Sequence, residues 1–89
     1  MNIQELKALV EPMDADEAIR NINIYLEEHP EDDEALTLRG MRLWSQGRRA
    51  QAINDYLSAI RCNPHSKARQ ALKAANEILD FYNKDLYNP

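Results

Sequence analysis

Apolar residues recur at spacings of three and four along most of the chain, and strict alternation of apolar and polar residues is scarce. This pattern predicts helices rather than strands. Prolines and a glycine separate the periodic stretches, so that five helices are expected, at about 3–10, 14–29, 32–46, 48–62 and 67–83. The predicted fold class is therefore all-α.

Residues that favour helix ends stand at the predicted boundaries. Asp14 is followed three residues later by Glu17, in the manner of a capping box, and Ser66 precedes the last helix. Gly47 follows the third helix, where a residue in the left-handed conformation commonly ends a helix. Capping and periodicity thus predict the same boundaries.

Each predicted helix has an apolar face that is expected to pack in the core. In chain order these faces contain Ile3, Leu6, Leu9 and Val10; Ala18, Ile19, Ile22, Tyr25 and Leu26; Leu36, Leu38, Met41, Leu43 and Trp44; Ala52, Ile53, Tyr56, Leu57, Ala59 and Ile60; and Ala68, Ala71, Leu72, Ala75, Ile78, Leu79 and Tyr82. The single cysteine, Cys62, is expected to be a small buried residue rather than a reactive thiol.

The chain resembles itself at an offset of 34 residues. The matches involve small residues, large apolar residues and the prolines that follow helix pairs. The matching pairs are Ala18 and Ala52, Ile19 and Ile53, Leu26 and Ile60, Pro30 and Pro64, and Leu38 and Leu72. Such a recurrence indicates similar helix pairs that stack side by side.

The stretch from Asp33 to Pro64 resembles a tetratricopeptide repeat (TPR), whose period is the same. The residues that carry the resemblance are Gly40, Gly47, Ala52, Tyr56, Ala59 and Pro64. It implies an antiparallel helix-turn-helix TPR solenoid that occupies residues 1–89 as one domain. Within that domain, 1–31 would be a degenerate repeat, 32–65 a well-matched repeat, 66–83 a capping helix and 84–89 a tail similar to the endings of some short bacterial TPR proteins.

TPR domains hold peptides or helices in a concave groove lined by the first helix of each repeat. The resemblance therefore implies a non-enzymatic adaptor that binds a peptide or a partner protein of unknown identity. The groove would be lined by Glu34, Thr37, Leu38, Met41, Trp44, Ser45, Ala68, Ala71, Leu72 and Ala75. Leu38, Met41 and Trp44 are the expected anchors, with burial in the core as the alternative for the same three residues.

The clamp that some TPR domains use to grip a chaperone's terminal carboxylate is not expected here. Such a clamp needs cationic and amide side chains that converge on the carboxylate. The matching positions are Ile3, Lys7, Leu38, Ala68 and Leu72, of which only Lys7 is polar.

Charge is distributed unevenly along the chain. Residues 1–38 contain eleven acidic and two basic side chains, whereas residues 39–73 contain eight basic side chains and one acidic side chain. The alternative function is therefore a self-associating protein, in which complementary charged ends form head-to-tail contacts. The aromatic segment 81–89 is a second candidate for such assembly, and self-association is favoured if this segment packs over Trp44, either within one chain or between two.

A basic segment near the third helix raises the question of nucleic-acid binding. It contains Arg39, Arg42, Arg48 and Arg49. The net charge of −4 and the lack of aromatic residues among the arginines, apart from Trp44, disfavour this role. The simpler interpretation is that Arg39 pairs with neighbouring acids, while Arg48 and Arg49 form a solvated helix start.

No enzyme activity, metal or cofactor is expected. His29 and His65 stand beside prolines without a nucleophile motif, and the acidic run 31–34 lacks the glycine and spacing of a calcium loop. The two glycines, at 40 and 47, cannot form a phosphate-binding loop. The chain contains no apolar run of membrane-spanning length and Met1 is not followed by a signal-like segment, so that a cytoplasmic location is expected.

Overall fold

The computed structural model describes the backbone of residues 1–87 and the side chains of residues 1–81. Over this part of the chain the fold is all-α and contains no strand. The helices are α1 (Ile3–Val10), α2 (Ala15–Glu28), α3 (Asp33–Ser45), α4 (Arg49–Cys62) and α5 (Ala68–Tyr87). The predicted helices are confirmed, except that α5 extends beyond its predicted end near Asn83. Within the same residues, no helix has both the length and the hydropathy that crossing a membrane requires.

The helix ends follow the local capping signals. The Asp14 carboxylate accepts a hydrogen bond from the Glu17 backbone N–H at 2.9 Å, which confirms the predicted cap of α2. Asn2 and Glu5 form a reciprocal capping box at α1 that the sequence analysis did not single out. Gly47 has a φ of 78°, the left-handed conformation predicted for the residue that ends α3.

The α2–α3 and α4–α5 turns have the same hydrogen bonds, 34 residues apart. The carbonyls of His29 and Asn63 accept from the backbone N–H groups of Asp32 and Ser66, at 3.2 and 2.9 Å. The side-chain oxygens of Asp32 and Ser66 each accept from the N–H two residues later, at 3.0 and 3.1 Å. A proline follows His29 and another follows Asn63. The recurrence in the sequence is therefore also a recurrence of turn geometry.

Consecutive helices pack against each other, and α3 also contacts α5. Gly40 allows α3 and α4 to approach closely, because a Cβ atom at this position would lie 2.6 Å from Cε1 of Tyr56. The buried apolar side chains of the core are Leu6, Val10, Ala18, Ile22, Tyr25, Leu26, Ala35, Leu36, Leu43, Ala52, Tyr56, Ala59, Ala68 and Ala75. The molecule is elongated, with extents of 51, 28 and 17 Å.

Several residues on the predicted apolar faces are exposed. Leu9, Met41, Leu57 and Ile78 are 38%, 54%, 42% and 41% exposed. The prediction that Cys62 is buried is also wrong, because the residue is exposed. The buried face of α4 runs through Ala52, Tyr56 and Ala59, and helical geometry places Cys62 at the edge of that face.

An ion pair joins α3 to α4. The Arg39 guanidinium donates two hydrogen bonds to the Asp55 carboxylate, both at 2.8 Å, and a third to Asn23 Oδ1 at 3.0 Å. The hydrogen bond to Asp55 raises the pKa of Arg39. The prediction that Arg39 pairs with an acid is confirmed, and its partner is the single acidic residue of the stretch 39–73.

Tyr25 connects α2 to the start of α3. Its hydroxyl donates to Asp32 Oδ2 at 2.6 Å, while Asp32 Oδ1 accepts from the backbone N–H groups of Glu34 and Ala35 at 3.0 and 3.1 Å. Burial, followed by the hydrogen bond to Asp32, raises the pKa of Tyr25 to about 12. The Tyr25 ring also stacks on His29, with centroids 4.4 Å apart.

We expect Tyr25→Phe to lower the free energy of unfolding by about 1–2 kcal/mol at neutral pH, because the Asp32 carboxylate loses a donor. The folded-state pKa of Tyr25 lies above its ordinary value of 10.0. The stability that this hydroxyl contributes is therefore complete below about pH 10 and is lost as the pH rises toward about 12. Urea denaturation at a series of pH values should show the wild type losing stability more steeply than Tyr25→Phe over this range. Parallel stability curves would contradict the assignment.

Candidate functional site

A cleft of about 640 Å³ opens between α1, α3, the α4–α5 turn and the start of α5. We call it the α3–α5 cleft. Its volume falls in the range of known ligand-binding clefts. The lining residues are Lys7, Asp33, Glu34, Thr37, Leu38, Met41, Asn63, His65, Ser66, Lys67, Gln70 and Ala71.

The apolar lining of the cleft is formed by Leu38 and Met41 of α3 and Ala71 of α5. Leu38 and Ala71 are partly buried and pack against the core, whereas Met41 is 54% exposed. A methionine side chain is flexible and polarisable, and adapts to apolar groups of different shape. The cleft therefore offers an adaptable apolar surface to a ligand.

The polar rim of the cleft carries both signs of charge. Lys7 Nζ lies 2.8 Å from Glu34 Oε1, and this pair connects α1 to α3. Their side chains are 39% and 40% exposed, so that the ion pair contributes little to stability and either partner can turn to a ligand at small cost. His65 and Lys67, on the α4–α5 turn, also line the cleft and are exposed.

Five of the ten predicted groove residues line this cleft. They are Glu34, Thr37, Leu38, Met41 and Ala71. The hydroxyl of Thr37 donates to the Asp33 carbonyl of its own helix at 2.7 Å. Four of the six predicted groove residues of α3 thus lie in one place, together with Ala71 of α5.

The other predicted groove residues lie elsewhere. The prediction that Ala68 and Ala75 line the groove is wrong, because they are 0% and 3% exposed. Leu72 lines a different groove, between α4 and α5. Trp44 packs against the core and has the Arg49 guanidinium 5.2 Å from its ring centroid. Ser45 is exposed, and its hydroxyl donates to a carbonyl one turn earlier in α3.

The contribution of the α4–α5 turn to the cleft was not predicted from the sequence. Asn63, His65, Ser66 and Lys67 all line it. The signal available in the sequence was their position immediately before a helix that was expected to line the groove. Lys7 had been considered only for a carboxylate clamp, whereas the structure pairs it with Glu34.

The four arginines of the predicted basic patch have different partners. Arg39 is held in its ion pair, and Arg42 donates to the backbone carbonyls of Met13, in the α1–α2 connection, and Val10, at the end of α1, at 2.8 and 2.9 Å. Arg48 contacts a side chain in the α3–α4 turn at 3.4 Å, and Arg49 lies over Trp44. Arg48 and Arg49 are both exposed at the start of α4, as predicted. Arg39 and Arg42 are thus engaged within the fold.

Two other predictions concern metals and the terminal segment. Among residues with described side chains, no group of three His, Cys, Asp or Glu side chains is placed to hold a metal ion. The aromatic segment 81–89 falls largely outside the described side chains. Its first residue, Phe81, is 63% exposed.

No protein-family model, curated protein or solved structure matches the chain. A function must therefore be inferred from the residues of this chain and from their geometry.

Proposed function

We propose that the chain is a non-enzymatic TPR-type adaptor, which binds an extended peptide or a short helix of a partner protein in the α3–α5 cleft. The observation that carries the proposal is the exposed apolar surface of Met41 inside a cleft whose rim is polar. Exposed apolar groups in a concave site are typical of binding surfaces.

The geometry of the motif residues supports the TPR part of the proposal. The small residue Gly40 lies against the aromatic Tyr56, Gly47 is left-handed, and Ala52 and Ala59 are buried between helices. The resemblance to a TPR implies these roles: small residues where helices approach closely, an aromatic residue against them, and a glycine in the turn between helices. The repeated hydrogen bonds of the α2–α3 and α4–α5 turns support it as well, because a repeat protein reuses one turn.

The shape of the cleft favours a peptide over a compact small molecule. Asp33 and Met41 both line the cleft, eight residues apart on α3, so that about 12 Å of helix runs along it. About four residues of an extended chain cover that length. Asn63 and Gln70 supply amide groups that can pair with a peptide backbone, and the apolar lining can receive a side chain.

Met41→Lys should weaken peptide binding at least tenfold, because it removes about 1.5–3 kcal/mol of apolar burial in the complex. The probes are peptides selected from a random twelve-residue display library against the wild-type protein, with affinities measured by fluorescence anisotropy. The matched control is Ile24→Lys, since Ile24 of α2 is 64% exposed and does not line the cleft. Ile24→Lys should leave affinity unchanged.

Two outcomes would count against the proposal. In the first, selection on the wild type yields no binding peptide. In the second, the selected peptides lose affinity equally for Ile24→Lys and Met41→Lys, which would indicate binding outside the cleft or a general loss of structure. Circular dichroism of both variants separates these last two causes.

A further inference from the structure

A second groove, of about 450 Å³, lies between α4 and α5 and is separate from the α3–α5 cleft. Its apolar lining comes from Leu57, Ile60 and Leu72. Leu57 is 42% exposed, although its position on the apolar face of α4 predicts burial. An apolar surface is thus available to a partner along α5.

The charged residues on the α5 side of this groove follow a definite order. Arg69, Lys73, Glu77 and Asp80 line it, and all four are exposed. Their spacing of four, four and three residues keeps them on one face of the helix. The two basic residues come first and the two acidic residues follow. A helix face with this order is complementary to a copy of itself that runs in the opposite direction.

We propose that a second copy of the chain docks on this groove, with the two α5 helices antiparallel about a twofold axis that crosses the exposed face of α5 beside Asn76, which also lines the groove. Arg69 then faces Asp80 of the second copy, and Lys73 faces Glu77 of the second copy. Residues 69 and 80 are centred on position 74.5 of α5, and residues 73 and 77 on position 75. A single twofold axis can therefore form both pairs. The symmetry generates each contact twice, as in an isologous dimer.

The order of charges is not explained by the stability of α5 alone. A basic residue in the first turn, where Arg69 stands, is unfavourable to the helix dipole. Lys73 and Glu77 are four residues apart with the lysine first, which is the less favourable orientation for a pair within one helix. Arg69 donates one hydrogen bond to the Pro64 carbonyl at 3.2 Å, and its guanidinium has further donors for a partner.

Apolar burial and charge have different effects in this dimer. Leu57, Ile60 and Leu72 of both copies lose contact with water, which supplies affinity. The ion pairs select the antiparallel register and make association dependent on salt. The α3–α5 cleft and the groove share no lining residue. On the proposed function, the dimer would therefore present two peptide-binding clefts.

Charge reversal tests the arrangement. Arg69→Glu/Lys73→Glu makes the face wholly acidic, and Glu77→Lys/Asp80→Lys makes it wholly basic. Sedimentation equilibrium in about 50 mM salt should show a wild-type dimer, with a dissociation constant at least about tenfold higher for each double variant. An equimolar mixture of the two double variants should form a heterodimer, and the variant that combines all four substitutions should dimerise again. Raising the salt to about 0.5 M should weaken the wild-type dimer.

Each contrary result overturns the proposal. A wild-type protein that stays monomeric at low salt would show that a second copy does not bind in the groove. If both double variants still dimerise, the dimer must form through another surface. The head-to-tail contact between charged ends is one such surface. A mixture that gives no heterodimer excludes the antiparallel register. If a double variant loses helix content by circular dichroism, Leu57→Asp replaces it as the test. Leu57→Asp is expected to be a folded monomer. A dimeric Leu57→Asp protein would contradict the proposal that the two copies meet at this groove.

Discussion

Replacing Asp55 with alanine should lower the free energy of unfolding by about 3 kcal/mol, which would be a large part of the stability of a domain this small. Asp55 is 7% exposed, and both of its carboxylate oxygens accept hydrogen bonds from Arg39 at 2.8 Å. The substitution leaves the Arg39 guanidinium, whose side chain is 27% exposed, with the hydrogen bond to Asn23. A charge that is largely removed from water and has lost its counter-ion is unfavourable. Urea denaturation at neutral pH measures the change.

Two further variants make this test specific. In Arg39→Met/Asp55→Leu no charge is left without a partner, so this protein should be more stable than Asp55→Ala. Lys7→Met removes an ion pair of similar length that is about 40% exposed, and should cost less than about 1 kcal/mol. Equal losses for Asp55→Ala and Lys7→Met would mean that burial of the Arg39–Asp55 pair has no energetic consequence.

Gly40→Val should cost about 3 kcal/mol or more, because side-chain atoms at this position collide with a buried ring. A Cβ atom would lie 2.6 and 2.9 Å from Cε1 and Cδ1 of Tyr56 and 3.2 Å from the Ala52 carbonyl oxygen. Tyr56 is 3% exposed and belongs to the core, so that any movement of its ring disturbs the packing of its neighbours. Gly40→Ala should also destabilise the fold, by about 1–2 kcal/mol, although alanine favours a helix over glycine by about 1 kcal/mol. Thermal or urea unfolding gives both values.

The chain contains its own control for this prediction. Ala74 stands 34 residues after Gly40, at the corresponding position of α5, and is exposed. Ala74→Val should therefore change stability by no more than about 0.5 kcal/mol, the ordinary range for a surface substitution. In Gly40→Ala/Tyr56→Leu the loss should be smaller than the sum of the two single losses, because the smaller side chain removes the collision. A Gly40→Ala protein more stable than the wild type would show that the two helices separate easily.

The helices could be predicted from the sequence because their signals are local. Asp14 and Gly47 each fix a helix end within a few residues, and Pro30 cannot continue α2. The exposure of Leu57 and of Cys62 could not be predicted in the same way. Periodicity shows which side of a helix is apolar. How much of that side is buried depends on which neighbouring helices pack against it.

The candidate site was predicted in part, for a similar reason. Leu38 and Met41 follow from the expectation that α3 lines a groove. The choice of Ala68 and Ala75 fails because small residues in α5 allow close packing against other helices, and the rotation of α5 about its axis is a tertiary property. His65 reaches the cleft only through the path of the α4–α5 turn, which no local pattern specifies.

Cys62, which is exposed, gives the molecule a natural attachment point for a spectroscopic label. The chain has one cysteine, and the next residue, Asn63, lines the α3–α5 cleft. A maleimide dye would therefore react at a single place, one residue from the lining of the cleft and outside the packed interior. Changes in its emission would test in real time whether the proposed peptide binds in the α3–α5 cleft, with no residue added or removed.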